Sequence, residues 1–419
     1  MAITWKSKEK FKPHLIIKRI ASSRTVKDDG SISYADPTIE ADISTLNTML
    51  KFPPATEDID KETLVWRALN RAGKELTTES FIKAANSELN TRLATNLNDY
   101  YILTSISIPA TNLPRRINVL DCEIEFLRGS YPKKFQNSRI DQIKKYKPDI
   151  KATPGNYCKI AAKVRTKSPS AAFHKAMRSI DLVRALICLR TNPGFQITFG
   201  ASSYSAINAI TLGGFHTVHH EDGSSAQSGF WYDPFYHPKN AYNRSTEIVI
   251  GKTKAALKKI EKSNFRSEII SSILMFVRGF DLYDPNAAFL KAWGALEALT
   301  TPTHANYDTL IKRVSFLFED SDYHTQVIEH LRAYRNASVH TGEESENARI
   351  HCFQLQKYYA AMTWFCIQNG SYFRNLDELG SFLDLPTDRK KLDDRLKILR
   401  KAIKFRTPKP ISEEQRGQI

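Results

Sequence analysis

The sequence has no run of about 18 apolar residues, the length a membrane-spanning helix needs. Its opening, MAITWKSKEKFK, has no hydrophobic core of the sort a secretory signal carries. The chain is therefore expected neither to cross a membrane nor to be exported, and no membrane partner is expected. Cysteine is sparse. Cys122, Cys158, Cys188, Cys352 and Cys366 are scattered without a CxxC pair, which speaks against a disulfide framework and against a zinc site. A reducing, cytoplasmic setting without metal or other cofactor is the expectation. No Gly-x-x-x-x-Gly-Lys-Ser/Thr loop occurs, and Gly213-Gly214 does not open a helix, so nucleotide hydrolysis is not expected. There is no internal repeat, no low-complexity stretch, and no evident helix-turn-helix in the basic regions.

What is present is ordinary globular material with a strong positive bias. Apolar residues make up 41% and aromatic residues 11% of the 419, enough for two domains with sizeable cores. The formal charge of +16 is unevenly placed. Residues 1–250 hold 35 basic and 24 acidic side chains (+11), residues 251–370 hold 14 and 13 (+1), and residues 371–419 hold 12 and 8 (+4). Such a field suits a nucleic-acid partner, although basic proteins without one are also common.

The patterning predicts an α+β fold. A mixed N-terminal domain (1–245), serving as a sensor or RNA-binding part, precedes an all-α bundle (250–370) and a basic tail (371–419). Helical spacing marks Glu62 to Arg71, Thr78 to Asn90 and Ala171 to Arg190. Strands are predicted over Tyr100 to Ile108, Ile117 to Leu127, Tyr157 to Val164, Gln196 to Phe199, Ala206 to Leu212, Phe215 to His219 and Thr246 to Ile250. Two segments are candidates for RNA binding. Lys133, Lys134, Arg139, Lys144, Lys145, Lys147 and Lys151 interleave with Phe135 and Tyr146, cations for phosphates beside rings for stacking. From Arg389 to Lys409, ten of 21 residues are Lys or Arg, beginning with Arg389, Lys390 and Lys391. They are spaced between Leu392, Leu396, Leu399 and Ile403 as a basic amphipathic helix able to dock on its own domain. In the cluster His216, His219, His220, the strand alternation puts His216 and His220 on one face and His219 on the other. A polar strand end is the expectation there, not a metal site. The loop Trp231 to Tyr236 is read as satellite core in preference to a base-stacking surface.

The residues Arg335-Asn336-Ala337-Ser338-Val339-His340 carry the chemistry. They sit at the end of a long amphipathic helix, with Thr341-Gly342 as the stop. Guanidinium groups hold phosphate by paired hydrogen bonds, and imidazole is the side chain suited to proton transfer near neutrality. An Arg and a His in this position also suit the negative end of the helix dipole without any further role. Upstream, Asp284-Pro285 reads as cap and first residue of a helix to about Leu299. Phe289, Trp293 and Leu296 form its apolar stripe, with Glu297 at the edge. Downstream, Cys352, Leu355, Tyr359, Met362 and Cys366 give another helix with one buried face.

Arg-Asn-x-x-x-His followed by Gly342, in this helical setting, resembles the active-site motif of the HEPN superfamily of ribonucleases. The surrounding helices are similar to the ApeA-like branch found in bacterial anti-phage proteins. The resemblance covers residues from about 250 to 370. It implies metal-independent cleavage of RNA to a 2′,3′-cyclic phosphate at a site shared by two protomers, in anti-phage defence or toxin-type growth arrest under a phage-derived or regulatory trigger. Under it, Arg335 holds the scissile phosphate, Asn336 orients, and His340 acts on the 2′-hydroxyl or the leaving 5′-oxygen. Glu297 is a supporting acid or a partner for a cation. Spacing alone gives a different arginine, because Arg332, Asn336 and His340 share one stripe while Arg335 and His340 lie about 140° apart on a regular helix. A homodimer resolves the conflict by meeting His340 with Arg335 of the other chain. The alternative is a non-catalytic module that binds RNA or a protein.

Overall fold

A computed structural model of the protein describes residues 2–7, 9–29, 31–146, 151, 153–196, 205–226, 231–244, 247–301 and 307–406. Among the described residues the fold is α+β, with fourteen α-helices and a six-stranded antiparallel sheet. The chain forms two compact units, Met1–Arg184 with Ile210–Ile250, and Ala185–Ala209 with Gly251–Ile419.

In the first unit, the helices Pro13–Ser23, Ile39–Met49, Lys61–Arg71 and Thr78–Ala94 close around Ile20, Leu46, Leu64, Leu69, Phe81 and Leu89. Asp60 caps one helix by accepting from the Thr63 amide, and Thr77 and Ser80 form a capping box on the next. The sheet runs in the order Trp231–Tyr232, Phe215–His220, Asn98–Ile106, Cys158–Thr166, Cys122–Leu127, Arg116–Val119. The two nine-residue strands at its centre pair along their whole length, Asn98 with Thr166 through Ile106 with Cys158.

Three strand expectations need correction. Ile117 to Leu127 is a hairpin, because Leu120 and Asp121 both take positive φ (51° and 63°) and turn the chain back on itself. Ala206 to Leu212 adds only an isolated bridge between Leu212 and Ile106. At Thr246 to Ile250, helix begins by Glu247, since Thr253, Ala256, Leu257 and Ile260 are buried at helical spacing and carry the pattern back through β-branched residues. Of Gln196 to Phe199, all but Gln196 lies outside the described residues, as do Thr246, Lys147 and the terminal residues beyond Arg406.

The histidine strand behaves as a packing element. His216 lies across from Thr104, whose hydroxyl is 2.7 Å from its Nδ1, and its ring packs near Phe173. His219 faces the opposite side, with Nδ1 2.8 Å from Ser138 Oγ and Nε2 2.9 Å from Thr217 Oγ1. Burial, with Arg139 nearby, lowers both imidazoles to about 4. The same helix that covers this face, Lys133–Tyr146, overturns part of the basic-segment reading. Arg139 is buried and donates to Leu103 O (3.0 Å), Thr217 Oγ1 (2.7 Å) and Phe215 O (3.2 Å), while Phe135 packs on Leu103 and Ala161. Neither is available to RNA, because a helix over a sheet must bury one stripe and these two occupy it. In the aromatic loop, Trp231 stacks on Phe173 at 4.0 Å and Tyr236 is buried, but Phe235 is exposed.

In the helical unit, Phe276 stacks on Tyr359 at 4.1 Å, and Ser272 Oγ donates to Ala295 O (2.7 Å) and lies 3.0 Å from the Tyr359 hydroxyl. Cys352, Leu355, Tyr359, Met362 and Cys366 are fully buried, as their spacing predicts, and burial pushes the Cys366 thiol up to about 12. The helix Arg389–Arg406 forms, yet none of its residues is buried and Leu396, Leu399 and Ile403 stay exposed. It does not dock as expected. Arg395 and Arg406 flank one side of its apolar stripe, and burying that stripe would bring both guanidinium groups to the edge of the contact.

The two sheet histidines make an acid-sensitivity prediction. Their pKa values are depressed on folding, so the unfolded chain binds more protons between about pH 6.5 and 4, and stability falls as pH drops through that window. The full effect is about 3 kcal/mol for each imidazole. Urea unfolding followed by circular dichroism at pH 7 and pH 4.5 checks this. A His216→Gln, His219→Gln variant should lose most of the pH dependence in that range.

Candidate functional site

The motif helix runs unbroken from Ser321 to Thr341. Asp320 caps its start by accepting from the Tyr323 amide, and His324, Ile328, Leu331 and Tyr334 form its buried stripe. Gly342 ends it in the left-handed conformation at φ 68°. The loop beyond is tied back to the bundle through Asn286, whose Oδ1 accepts from both the Tyr334 hydroxyl and the Ser345 amide.

Arg335 leaves this helix on the flank of the buried stripe. Its guanidinium lies over the Tyr307 ring at 4.8 Å, with one terminal nitrogen 3.8 Å from Glu297 Oε1 and the other donating to Asn336 Oδ1 at 3.3 Å. Glu297 is itself oriented, since Trp293 Nε1 donates to the same Oε1 at 2.8 Å. The carboxylate is thus a partner for a cation, one of the two roles expected for it. At 3.8 Å the pairing is loose and leaves guanidinium donors for an anion.

Arg332 is more fully engaged. It meets Asp308 on one nitrogen and Glu329 at 2.8 Å on the other. Two carboxylates around one guanidinium leave little net attraction for phosphate. His340 is exposed in the last turn and has no hydrogen-bond partner among the described residues. Beyond it, Glu343, Glu344 and Glu346 are all exposed.

The structure therefore brings Glu297, Arg335 and Asn336 together and places Arg332 one turn away with its own acids. His340 follows one turn after Asn336 on the same stripe and points away from Arg335. Lys133, Lys134, Lys144 and Lys145 are exposed cations of the sheet unit. Lys134 donates to Glu221 O at 2.6 Å and sits 5.0 Å from the Tyr101 ring. Arg389, Lys390 and Lys391 are exposed at the start of the last helix.

Several participants escaped sequence reasoning. Tyr307 and Asp308 reach the motif from the helix Tyr307–Ser315, and no spacing in the chain encodes that approach. The pairing of Trp293 with Glu297 was legible, because four residues apart on a helix is hydrogen-bonding distance. His330 and His351 also meet, Nε2 to Nε2 at 3.3 Å, with the buried His351 ring 4.5 Å from that of Tyr334. Desolvation, with His330 beside it, lowers the His351 pKa.

No family model, no curated protein and no solved structure matches this chain.

The helix stop provides a clean test of local geometry. A Cβ on Gly342 meets nothing within 4 Å, so any cost of Gly342→Ala comes from the left-handed backbone alone. The expected loss is about 1 kcal/mol, with Gly342→Asn costing less. Chemical denaturation of the three proteins checks the order.

Proposed function

We propose that the protein is an endoribonuclease of the HEPN type that cuts RNA without a metal, using Arg335, Asn336 and His340, in bacterial anti-phage defence or toxin-type growth arrest. One observation carries this reading. A cation held by Glu297 and the Tyr307 ring, an amide, and an exposed imidazole with no hydrogen-bond partner among the described residues follow one another over the last two turns of one helix. His340 takes the proton from the 2′-hydroxyl as its oxygen attacks phosphorus, or gives one to the departing 5′-oxygen. Arg335 holds the non-bridging oxygens and offsets their growing charge. Cleavage leaves a 2′,3′-cyclic phosphate and a free 5′-hydroxyl. The need for a 2′-hydroxyl restricts the reaction to RNA.

The angle between Arg335 and His340 asks for two chains, each supplying one of them. A second reading, a non-catalytic module for RNA or a protein partner, draws on Glu343, Glu344 and Glu346, which put negative charge beside His340 where a phosphate must arrive. Total RNA incubated with the protein in EDTA, with the new ends sequenced, separates the two. Cyclic-phosphate ends that vanish in His340→Ala support the enzyme, and unchanged RNA supports the module.

Arg335→Ala should abolish cleavage as His340→Ala does, whereas Arg332→Ala should lower it less, since Asp308 and Glu329 already hold that side chain. The reverse ranking would transfer the phosphate role to Arg332. Mixing Arg335→Ala with His340→Ala chains should restore partial activity. A strictly monomeric, fully active protein in sedimentation would sink the shared site.

RNA affinity should fall with salt by a log–log slope of roughly 0.7 for each phosphate neutralised on a single strand. Neutralising Lys144, Lys145 and Lys147, or removing residues 386–419, should flatten that slope, as measured by fluorescence anisotropy. An affinity indifferent to salt would exclude RNA as the ligand of these cations.

A further inference from the structure

A cluster of arginines lies in the first unit, where the helices Lys61–Arg71 and Thr78–Ala94 pack together. At its centre Glu88 is buried, and three guanidinium groups converge on its carboxylate. Arg71 donates to Oε2 at 2.5 Å, and Arg92 donates through Nε to Oε1 at 2.8 Å. Both oxygens are thereby engaged, one from each helix. Arg67 comes only to 3.7 Å of Oε1 and makes no hydrogen bond among the described residues.

A buried carboxylate needs a partner, but three cations around one anion leave an excess of two positive charges. Arg67 and Arg71 stand four residues apart on one helix, a spacing at which like charges repel. The third guanidinium thus adds repulsion and gives Glu88 no hydrogen bond in return. The side chains of Arg67 and Arg71 are 59% and 52% exposed, so their remaining donors face water. The next strip of the same helix carries Trp66 and Asn70. Trp66 is half-buried and is backed edge-on by the Tyr34 ring at 5.8 Å, while the Tyr34 hydroxyl donates to Asn70 Oδ1 at 2.9 Å. Successive helical residues are about 100° apart, which sets the Trp66 ring beside the Arg67 fork.

We propose that Arg67, Arg71 and Arg92 cradle one phosphate of a single-stranded RNA, with a neighbouring base against Trp66. Guanidinium forks match phosphate oxygens in paired hydrogen bonds, and the excess charge of the cluster supplies the attraction. Exposed ion pairs are weak on their own, so the open position of Arg67 and Arg71 suits a free phosphate ion poorly. A strand adds the contact of a base with the ring, a combination that tolerates any sequence. The inference rests on RNA being a ligand of the chain, and not on its cleavage.

The probe is a labelled oligouridylate with 2′-O-methyl groups, which the cleavage chemistry above cannot cut, read by anisotropy with the full chain across a salt series. Replacing Arg67→Gln and Arg71→Gln together should weaken binding about tenfold and lower the log–log salt slope by about 0.7, the value for one phosphate on a single strand. Trp66→Leu should weaken binding about tenfold with the slope unchanged, because stacking carries no charge. Glu88→Gln should tighten binding, since it removes the anion that competes for the cradle. Circular dichroism verifies that the variants fold, and the exposed arginine pair carries the test should Glu88→Gln not fold. Unchanged affinity and slope in the arginine pair, with RNA still bound, would overturn this site and leave the RNA reading standing. A wild type that binds neither the probe nor unmodified RNA would overturn both. Displacement of the probe by inorganic phosphate at constant ionic strength would assign the cradle to the free ion and overturn the strand.

Discussion

The motif is governed by the regularity of one helix. From Ser321 to Thr341 the backbone runs unbroken, so each residue turns the next by about 100° and the directions of its side chains are fixed. Arg335 therefore points toward Glu297 and Tyr307, and His340 does not. Bringing both onto one phosphate within a chain would require unwinding the last turn. That turn is held by Gly342 in its left-handed conformation and by Asn286, which ties Tyr334 to the following loop. Rigidity at this point makes a contribution from a second copy the simpler geometric solution.

Charge pairing distinguishes the two arginines where spacing could not. Periodicity puts Arg332 on the stripe of Asn336 and His340, but two carboxylates already hold it. Arg335 faces one carboxylate at 3.8 Å, and the oxygen concerned also accepts from Trp293. A carboxylate shared in this way pulls less on the guanidinium, and the ring beneath fixes its position without neutralising it. Arg335 is thus oriented yet still cationic toward an incoming anion. The arginine off the histidine's stripe has the greater capacity for phosphate.

The fold was legible wherever one residue type dominates a local pattern. Asp284-Pro285 began a helix because a carboxylate cap and a ring with preset φ allow little else, and the cysteine-containing stripe of residues 352–366 is buried as its spacing demands. Legibility failed where tertiary contact overrode local preference. Val249 and Ile250 read as strand until the helical stripe beyond them is counted, and the Leu120-Asp121 hairpin lacks the usual Asn-Gly signature. At the site, Glu297 was singled out because it lies at the edge of the apolar stripe of Phe289, Trp293 and Leu296, as an acid on an earlier helix that the resemblance implies. Tyr307 and Asp308 were not, because their approach is set by helix packing. Arg139 illustrates the opposite error: composition counts a cation, but only burial reveals that its donors are already engaged by the sheet.

The same distinction separates the histidines. His216 and His219 are buried and bonded to hydroxyls, and burial keeps both uncharged well below neutral pH. His351 is enclosed by rings and by His330. Each of these imidazoles has its nitrogens or its access taken up by the fold, and moving a proton to or from a substrate would require breaking that packing. His340 differs on both counts, being exposed and without a hydrogen-bond partner among the described residues. An exposed imidazole contributes little to stability, so replacing it should disturb the fold far less than replacing His216. That difference makes His340 a position where a loss of activity, if found, can be attributed to chemistry and not to unfolding.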